Sequence, residues 1–252
     1  MIAGSTEKFT GKADAYSAAR PGYPTEFIKY LCENLGINPY SAVADIGSGT
    51  GKFSVELLKI GAETYCVEPN DDMRRIAERD FAEYINFHSV NGTCESTGLG
   101  ECSIDFITVA QAFHWFDADK FKEECRRILK PGGCVILVWN TRTECEFNSA
   151  NHAIFAKYCP EFRGFSSEKR DGAGVEHFFA GDFTKVKFSN PYVLNRTAFI
   201  ARCESGSYSL SENHPDYGEY IQALSELFDK YSVEGMIEIP SETVAYIGKI
   251  SK

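Results

Sequence analysis

The chain has 252 residues, a formal net charge of −10 and nine cysteines. This acidity argues against a nucleic-acid partner, because binding a phosphate backbone requires clustered Lys and Arg. The central apolar run, Cys134 to Trp139, is far shorter than the roughly 20 residues that span a bilayer, no charged-then-apolar leader follows Met1, and the cysteines lack Cys-x-x-Cys spacing. We therefore expect a cytoplasmic protein without a membrane partner.

Residues 1–36 are predicted to form an N-terminal lid and one amphipathic helix. An aromatic-rich segment with an Arg-Pro pair runs from Phe9 to Pro24, and Thr25 is placed to cap the helix that follows. Gly36 marks the end of this helix. The apolar residues that define it recur at helical spacing, namely Phe27, Ile28, Leu31 and Leu35.

A glycine turn is predicted between a buried strand, Val43 to Ile46, and a helix from about Lys52. Its glycines, Gly47, Gly49 and Gly51, allow close approach of a ligand to the backbone, beside the unpaired N–H groups of the helix. The dinucleotide pattern G-x-G-x-x-G fails here, because Lys52 stands where its third glycine belongs. The pattern present is D-x-G-x-G-x-G, which begins at Asp45.

Further strands alternate with helices along the chain. They are predicted at Thr64 to Glu68, Asn86 to Val90, Ile104 to Ala110, Cys134 to Trp139 and Phe183 to Ser189. Lys130 to Gly133 is predicted to be a turn, Tyr217 to Tyr231 a helix, and Met236 to Ile247 a final strand or hairpin. This alternation predicts an α/β fold with a Rossmann-like doubly wound sheet of about seven strands, mostly parallel with an antiparallel last strand, plus a small cap or insertion.

One structural domain with several segments follows from this assignment. Residues 37–140 form the ligand-binding core, residues 141–182 and about 195–232 form cap or insertion segments, and residues 183–194 and 233–252 are strands that complete the sheet. Ligands of such sheets bind at the carboxyl ends of the strands.

Glu68 lies about 20 residues beyond the glycines at the end of a strand, where a carboxylate can accept two hydrogen bonds from ribose hydroxyls. The alternative is an ordinary exposed glutamate at a strand end. The five histidines include no i, i+4 pair of the kind that grips a metal, so no metal site is predicted.

Several segments together resemble the class I S-adenosylmethionine-dependent methyltransferases. They are Asp45 to Gly51, Val67-Glu68-Pro69, Gly92 to Glu95, the end of the fourth strand, and Leu129 to Gly133. Two further segments, Tyr16 to Pro24 and Gln111 to Phe116, are similar to the small-molecule subfamily that includes trans-aconitate methyltransferase-like proteins. The resemblance covers most of residues 9–140.

The resemblance implies S-adenosylmethionine as the cofactor. It places the glycine turn on the methionine and ribose parts, Asp45 near the amino group, Glu68 on the ribose and Met73 against the adenine. The family often has an acidic residue where this chain has Thr93, and Glu95 is a candidate substitute. The full set implied around the cofactor is Tyr16, Arg20, Asp45, Gly47, Ser48, Gly49, Gly51, Glu68, Pro69, Met73, Thr93, Cys94, Glu95, Gln111 and Ala112.

The function implied is methyl transfer to a small-molecule acceptor, with a carboxylate as one candidate, by a monomer or homodimer. Positioning supplies most of such a mechanism, because the sulfonium already activates the methyl group. His114 is the candidate general base on the acceptor side, and a purely packing role beside Trp115 is its alternative. Two other functions stay open, a non-catalytic cofactor-binding or regulatory protein and a nicotinamide-dependent oxidoreductase.

Overall fold

A computed structural model of the protein describes residues 22–164, 172–206 and 208–250. The helices are α1 (Thr25–Glu33), α2 (Ser54–Ile60), α3 (Asp71–Asp80), α4 (Ala118–Ile128), α5 (Glu146–Tyr158), α6 (Gly172–Phe179), α7 (Arg196–Glu204) and α8 (Tyr217–Tyr231). The strands are β1 (Ala42–Ile46), β2 (Glu63–Val67), β3 (Phe87–Val90), β4 (Ile104–Ala110), β5 (Leu129–Arg142), β6 (Thr184–Ser189), β7 (Tyr192–Asn195), β8 (Met236–Ile239) and β9 (Ser241–Gly248). A 3-10 turn covers Phe113–Trp115.

Seven strands form one sheet in the order β3-β2-β1-β4-β5-β9-β6. β1 pairs in parallel with β2 and β4, β2 with β3, and β4 with β5. One strand of the seven is antiparallel, which confirms the predicted Rossmann-like sheet. Because β1, β2 and β4 run in the same direction, the loops that follow them leave from the same edge of the sheet.

Alternating side chains of β1 supply both faces of the sheet. Ala44 and Ile46 are fully buried in a cluster with Phe121 of α4, whereas Val43 is buried on the opposite face with Leu57 of α2. This is the alternation that period-2 strand geometry requires when helices cover both faces. It anchors the glycine turn at the end of β1.

Element boundaries differ from the prediction at the start of α1, at the start of α2 and along β5, and by one residue at ends of β1, β2, β3 and β6. Pro24 is the N-cap residue of α1 and no side-chain cap bond is present there, so Thr25 is the first helical residue and not the cap. α2 begins at Ser54, after an irregular turn. β5 is longer than predicted because the segment between Leu129 and Cys134, predicted as a turn, is an irregularity within the pairing with β4.

The chain divides into two compact units. The first unit contains Met1–Trp139, Gly172–Phe188 and Thr243–Lys252, and the second contains Asn140–Asp171 and Ser189–Glu242. The expected cap segment 141–182 is therefore divided, because α6 belongs to the first unit. The second unit has its own apolar core of aromatic residues from α5, α7 and α8, with β7 and β8 paired antiparallel.

The C-terminal region was predicted to contain one helix and a final strand or hairpin. The predicted helix Tyr217 to Tyr231 is confirmed as α8. Met236 to Ile247 forms two strands that belong to different sheets, β8 with β7 and β9 with the large sheet. Within the described ranges, no helix combines the length and apolar character that crossing a membrane requires.

Candidate active site

The glycine turn lies at the end of β1 and is held by β2. The backbone N–H of Gly47 donates to the carbonyl of Val67 at 2.8 Å, and that of Gly51 donates to the carbonyl of Ser48 at 2.9 Å. Gly47 and Gly51 have φ of +69° and +83°, a conformation that residues with a Cβ atom rarely adopt. A Cβ atom at Gly47 would stand 2.8 Å from the Cβ of Ala112, so the loops after β1 and β4 touch here.

Asp45 is fully buried directly before the turn, and both of its carboxylate oxygens accept hydrogen bonds. Oδ2 accepts from Ser54 Oγ at 2.6 Å, and Oδ1 accepts from Thr108 Oγ1 at 2.8 Å. Burial raises the pKa of Asp45 to about 6, although these two hydrogen bonds oppose the rise. The Asp45 carboxylate thus connects the first residue of α2 to β4. These two bonds fix the end of β1, from which the glycine turn begins.

Glu68 lies directly after β2 with its carboxylate against the glycine turn. Oε2 accepts from the backbone N–H of Gly49 at 2.9 Å, and Oε1 accepts from that of Asn70 at 2.8 Å. Burial raises the pKa of Glu68, while these hydrogen bonds and the charge of Arg74 oppose the rise. A carboxylate offers about four acceptor positions, so two stay available to a ligand.

Two further features at the turn fit a nucleoside-bearing cofactor. Met73 is buried at the start of α3, and a Cβ at Gly49 would stand 3.6 Å from its sulfur, so a thioether lines this side of the turn. Ser48 Oγ is buried and has no hydrogen-bond partner among the described residues. A buried hydroxyl without a partner costs free energy that a polar ligand would recover. The residues present are therefore compatible with S-adenosylmethionine.

The loop after β3 contains the predicted Thr93, Cys94 and Glu95. Thr93 and Ser96 exchange backbone hydrogen bonds of 3.0 and 3.2 Å, which fold the loop into a tight turn. Burial raises the pKa of the Cys94 thiol to about 11, so this cysteine is protonated at neutral pH. β3 pairs with β2, and the N–H of Glu68 donates to the carbonyl of Val90, so this loop leaves the sheet next to Glu68.

The loop after β4 contains a residue with an unusual backbone. Gln111 has φ of +60°, and its N–H donates to the carbonyl of Val138 at 2.9 Å. Non-glycine residues in this region are uncommon and cluster at functional sites. His114 follows on the 3-10 turn; it is exposed, and its ring centroid lies 4.8 Å from that of Trp115.

The structure thus brings together most of the residues predicted around the cofactor. The glycine turn, Glu68, Met73 and Ala112 meet at one edge of the sheet, with Pro69 half-buried between Glu68 and Asn70. Tyr16 and Arg20 lie outside the described residues. No group of three or more His, Cys, Asp or Glu side chains suited to a metal ion was found in the described part of the chain.

Three residues that support this site were missed at the level of sequence. Ser54 and Thr108 hold Asp45, and Asn70 both donates to Glu68 and caps α3 by accepting from Met73 N at 3.0 Å. Asn70 carried a usable signal, since asparagine directly before a helix is a common cap. Thr108 carried none, because its partner is 63 residues away.

Comparisons with known proteins agree with this arrangement. Residues 44–137 match the family described as "Methyltransferase domain". An uncharacterized methyltransferase of Mycobacterium tuberculosis is 36% identical over 138 residues, 54% of this chain and 53% of the relative. An uncharacterized methyltransferase-like protein of Schizosaccharomyces pombe is 32% identical over 130 residues, 51% of this chain and 50% of the relative. The chain spans about half the length of the curated relatives it matches.

Solved structures with a similar fold exist for most of this chain. The structure of a proposed type II methyltransferase from Anaeromyxobacter dehalogenans superposes with a TM-score of 0.63 and covers 92% of this chain and 98% of its own. The sequence identity is 23%, so this similarity establishes the fold.

Proposed function

We propose that this chain, which carries a class I S-adenosylmethionine-dependent methyltransferase domain over residues 44–137, transfers the methyl group of that cofactor to a small-molecule acceptor. One observation carries the proposal. The Glu68 carboxylate accepts from Gly49 within the glycine turn, so an acidic group and an open backbone turn from neighbouring parallel strands converge on one ligand position.

The residues around this position have distinct roles in the proposal. Glu68 accepts hydrogen bonds from the ribose hydroxyls with the acceptor positions that Gly49 and Asn70 leave available. The turn admits the methionine part, Ser48 offers its buried hydroxyl, and Met73 lies against the adenine. When bound, S-adenosylmethionine supplies a methyl group activated by a sulfonium, which an acceptor nucleophile displaces in line.

The protein contributes mainly orientation to such a reaction. Asp45 and Glu68 fix the turn through hydrogen bonds to other groups of the protein, so the protein itself sets the geometry in which the cofactor would be oriented. His114 is the candidate base for an acceptor that must lose a proton. An acceptor that is already ionised, such as a carboxylate, requires no base.

The composition of the chain bears on the acceptor only by arguing against a nucleic acid. A net charge of −10 disfavours a nucleic acid, and nine cysteines without Cys-x-x-Cys spacing suit a cytoplasmic, reducing setting. A non-catalytic cofactor-binding protein is the main alternative, since the same turn and carboxylate would serve it equally. A nicotinamide-dependent oxidoreductase is disfavoured by Lys52 at the position of the third fingerprint glycine.

Calorimetry with S-adenosylhomocysteine on a matched pair of variants tests the cofactor assignment. Glu68→Gln places an NH₂ donor against one of two backbone donors, so we expect affinity to fall about 50-fold, or about 2.3 kcal/mol. Glu63→Gln is the control, because Glu63 is exposed at the other end of β2 and hydrogen-bonds His88. We expect this variant to bind within about twofold of wild type, given its distance from the strand end.

The same protein is then assayed for transfer of a labelled methyl group from S-adenosylmethionine to organic acids, phenols and amines. Failure of the wild type to bind the cofactor would refute both the enzyme and the binding-protein hypotheses. Binding without transfer to any acceptor would favour the binding protein, and a thermal shift with NAD(H) would favour the oxidoreductase. His114→Ala should retain cofactor affinity, and full turnover by this variant would remove His114 as the base.

A further inference from the structure

The loop after β3 closes on itself at Thr97. A Cβ atom on Gly92 would stand 2.5 Å from the carbonyl oxygen of Thr97, so the two ends of the loop approach as closely as a glycine allows. Between these ends, Thr93 and Ser96 exchange backbone hydrogen bonds of 3.0 and 3.2 Å. The position of Thr97 therefore sets the position of the turn at residues 93–96.

Glu124, on α4, holds Thr97 through both the backbone and the side chain of that residue. Oε1 of Glu124 accepts from the N–H of Thr97 at 2.9 Å and from its Oγ1 at 2.6 Å. Both residues are buried, Glu124 at 7% and Thr97 at 0% exposure. The same hydroxyl oxygen accepts from the N–H of Leu99 at 3.2 Å. One carboxylate oxygen thus fixes the base of the loop from the side of α4.

Arg127 keeps the Glu124 carboxylate ionised and in place. Its Nε and Nη2 atoms donate to Oε2 and Oε1 of Glu124, each at 2.7 Å, in the paired geometry that a guanidinium group and a carboxylate favour. Burial acts to raise the pKa of Glu124, but the hydrogen bonds from Arg127 and Thr97 outweigh burial and lower the pKa. Glu124 is therefore a charged acceptor at pH 7, and hydrogen bonds to a charged acceptor are the stronger ones.

The helix α4 holds the same loop at a second point. The backbone N–H of Asp117, the N-cap residue of α4, hydrogen-bonds the sulfur of Cys94. Asp117 and Glu124 are separated by two turns of helix, or about 10 Å, so the two attachments fix the orientation of the loop as well as its position. Glu124 makes the stronger attachment, because a thiol is a weak acceptor.

We propose that Glu124 is a positioning residue for the adenine part of the cofactor, an inference that rests on the proposed function above. β3 pairs with β2, and the N–H of Glu68 donates to the carbonyl of Val90 at 3.1 Å, so the loop after β3 begins beside the carboxylate that holds the ribose in that function. The base attached to the ribose then lies within reach of residues 93–96. Glu124 acts through Thr97, and it sets the geometry in which the loop presents its hydrogen-bonding groups to the base.

Calorimetry with two ligands that differ only at one edge of the base tests the proposal. S-adenosylhomocysteine presents an amino group and an acceptor nitrogen at this edge, whereas S-inosylhomocysteine presents a carbonyl oxygen and an N–H group. A loop arranged for one edge leaves polar groups unpaired against the other. We therefore expect the wild type to bind S-adenosylhomocysteine at least about tenfold more tightly than S-inosylhomocysteine.

The variants separate the hydrogen bond to Thr97 from the charge of α4. Glu124→Ala should lower the affinity for S-adenosylhomocysteine at least about tenfold and change that for S-inosylhomocysteine less than about threefold. Glu124→Gln retains an oxygen that accepts from Thr97, so its preference between the ligands should stay within about threefold of wild type. Glu123→Ala is the matched control, since Glu123 is exposed on the same helix and pairs with Arg126. Its affinities should stay within about twofold of wild type.

Urea unfolding verifies that each variant is folded under the conditions of the titrations. A Glu124 that only stabilises the fold would lower stability on substitution and leave the preference of the folded protein unchanged, which would overturn the proposal. Equal losses for the two ligands, or a loss in Glu124→Gln as large as that in Glu124→Ala, would overturn it as well. If Glu124→Ala does not fold, Thr97→Val removes the hydroxyl bond, and the preference should then fall at least about threefold.

Failure of the proposed function has a different signature. A wild type that binds neither ligand would refute the cofactor assignment, and this proposal with it. A wild type that binds S-adenosylhomocysteine without preference over S-inosylhomocysteine would overturn only the role of Glu124, because the loop would then not read the base. The assignment of the cofactor would stay intact in that case.

Discussion

The two units differ in how the buried carboxylate and amide oxygens of their side chains are hydrogen-bonded. In the first unit, both oxygens of Asp45 accept from hydroxyl groups of Ser54 and Thr108, and both oxygens of Glu68 accept from backbone N–H groups. These bonds join the end of β1 to β4, to α2 and to the loop after β2. Asp45 and Glu68 therefore form a satisfied network that fixes the geometry of the glycine turn, while the buried Ser48 Oγ beside them has no partner among the described residues.

The second unit contains acceptors without donors. Asn148 and Asn151 each have a buried Oδ1 atom with no partner in the described part of the chain. Its core is built largely from aromatic rings, which fill volume but offer few hydrogen-bonding groups. The difference indicates that the buried carboxylates of the first unit fix its loop geometry, whereas two buried amide oxygens of the second unit contribute no such hydrogen bonds.

The largest expected effect concerns the fixed geometry of the glycine turn. A Cβ at Gly51 would overlap Cε2 of Phe81 and stand 2.6 Å from its Cζ, at φ of +83°. We expect Gly51→Ala to lower the free energy of unfolding by about 4 kcal/mol, from overpacking together with left-handed backbone strain. Urea unfolding at pH 7 measures this change.

Gly36→Ala is the matched control for this prediction. Gly36 has φ of +81°, but nothing lies within 4 Å of an added Cβ. The substitution should therefore cost about 1 kcal/mol from backbone strain alone. Equal losses in the two variants would contradict the view that the turn is packed into one geometry.

The second prediction uses pH to test the satisfied network. Burial raises the pKa of Asp45 from 3.8 to about 6. Below pH 3.8 this carboxyl is protonated in both states, and its contribution to stability is lost as pH rises through the folded-state pKa. The loss at pH 7 is about 3 kcal/mol, since one pKa unit corresponds to about 1.4 kcal/mol.

Asp45→Asn is neutral at every pH and should remove this dependence. We expect the stability of the variant relative to wild type to increase by about 3 kcal/mol between pH 3 and pH 7, as measured by urea unfolding at each pH. Thr108→Val, which removes one hydrogen bond that lowers the pKa, should move the transition to higher pH. A stability difference that is constant with pH would show that Asp45 does not titrate in this range.

The third prediction makes the same substitution in both units. Asn86, in the first unit, donates to the carbonyls of Leu58 and Ala62 at 3.2 and 2.8 Å. Asn86→Leu leaves both carbonyls without this donor and should cost about 2 kcal/mol, whereas Asn151→Leu removes an unsatisfied oxygen and should stabilise by about 1 kcal/mol. Thermal and urea unfolding measure both. A large loss from Asn151→Leu would remove the distinction between the units.

The fold could largely be predicted because its signals are local. β4 has the predicted bounds, and β1, β2 and β3 differ from prediction by one residue at one or both ends, since the turn residues Gly47, Pro69 and Gly92 follow these three strands closely. β5 was predicted too short because Pro131, Gly132 and Gly133 normally end a strand, and here pairing with β4 resumes beyond them. The partition of residues 141–182 between two units depends on tertiary contacts that no local pattern encodes.

The candidate site was likewise predictable only where its signals are local. Gly47, Gly49 and Gly51 were identifiable because positive φ angles favour glycine, and Glu68 because it follows a strand at the right distance. The hydrogen bond between Glu68 and Gly49 joins residues 19 apart in the sequence, and the one between Asp45 and Thr108 joins residues 63 apart. Hydrogen bonds over such separations are set by strand order, so their partners emerge only once the sheet is assembled.

Gln111, with its left-handed backbone at the end of β4, has a consequence for how this sequence can change. Glycine or asparagine would adopt that conformation at lower cost, by about 1 kcal/mol for glycine. Selection for heat resistance alone would favour those residues, and the side chain beside Ala112 would be lost. At position 111 the sequence therefore carries a glutamine side chain beside Ala112 at a cost in backbone conformational energy, a cost that stability alone would not select.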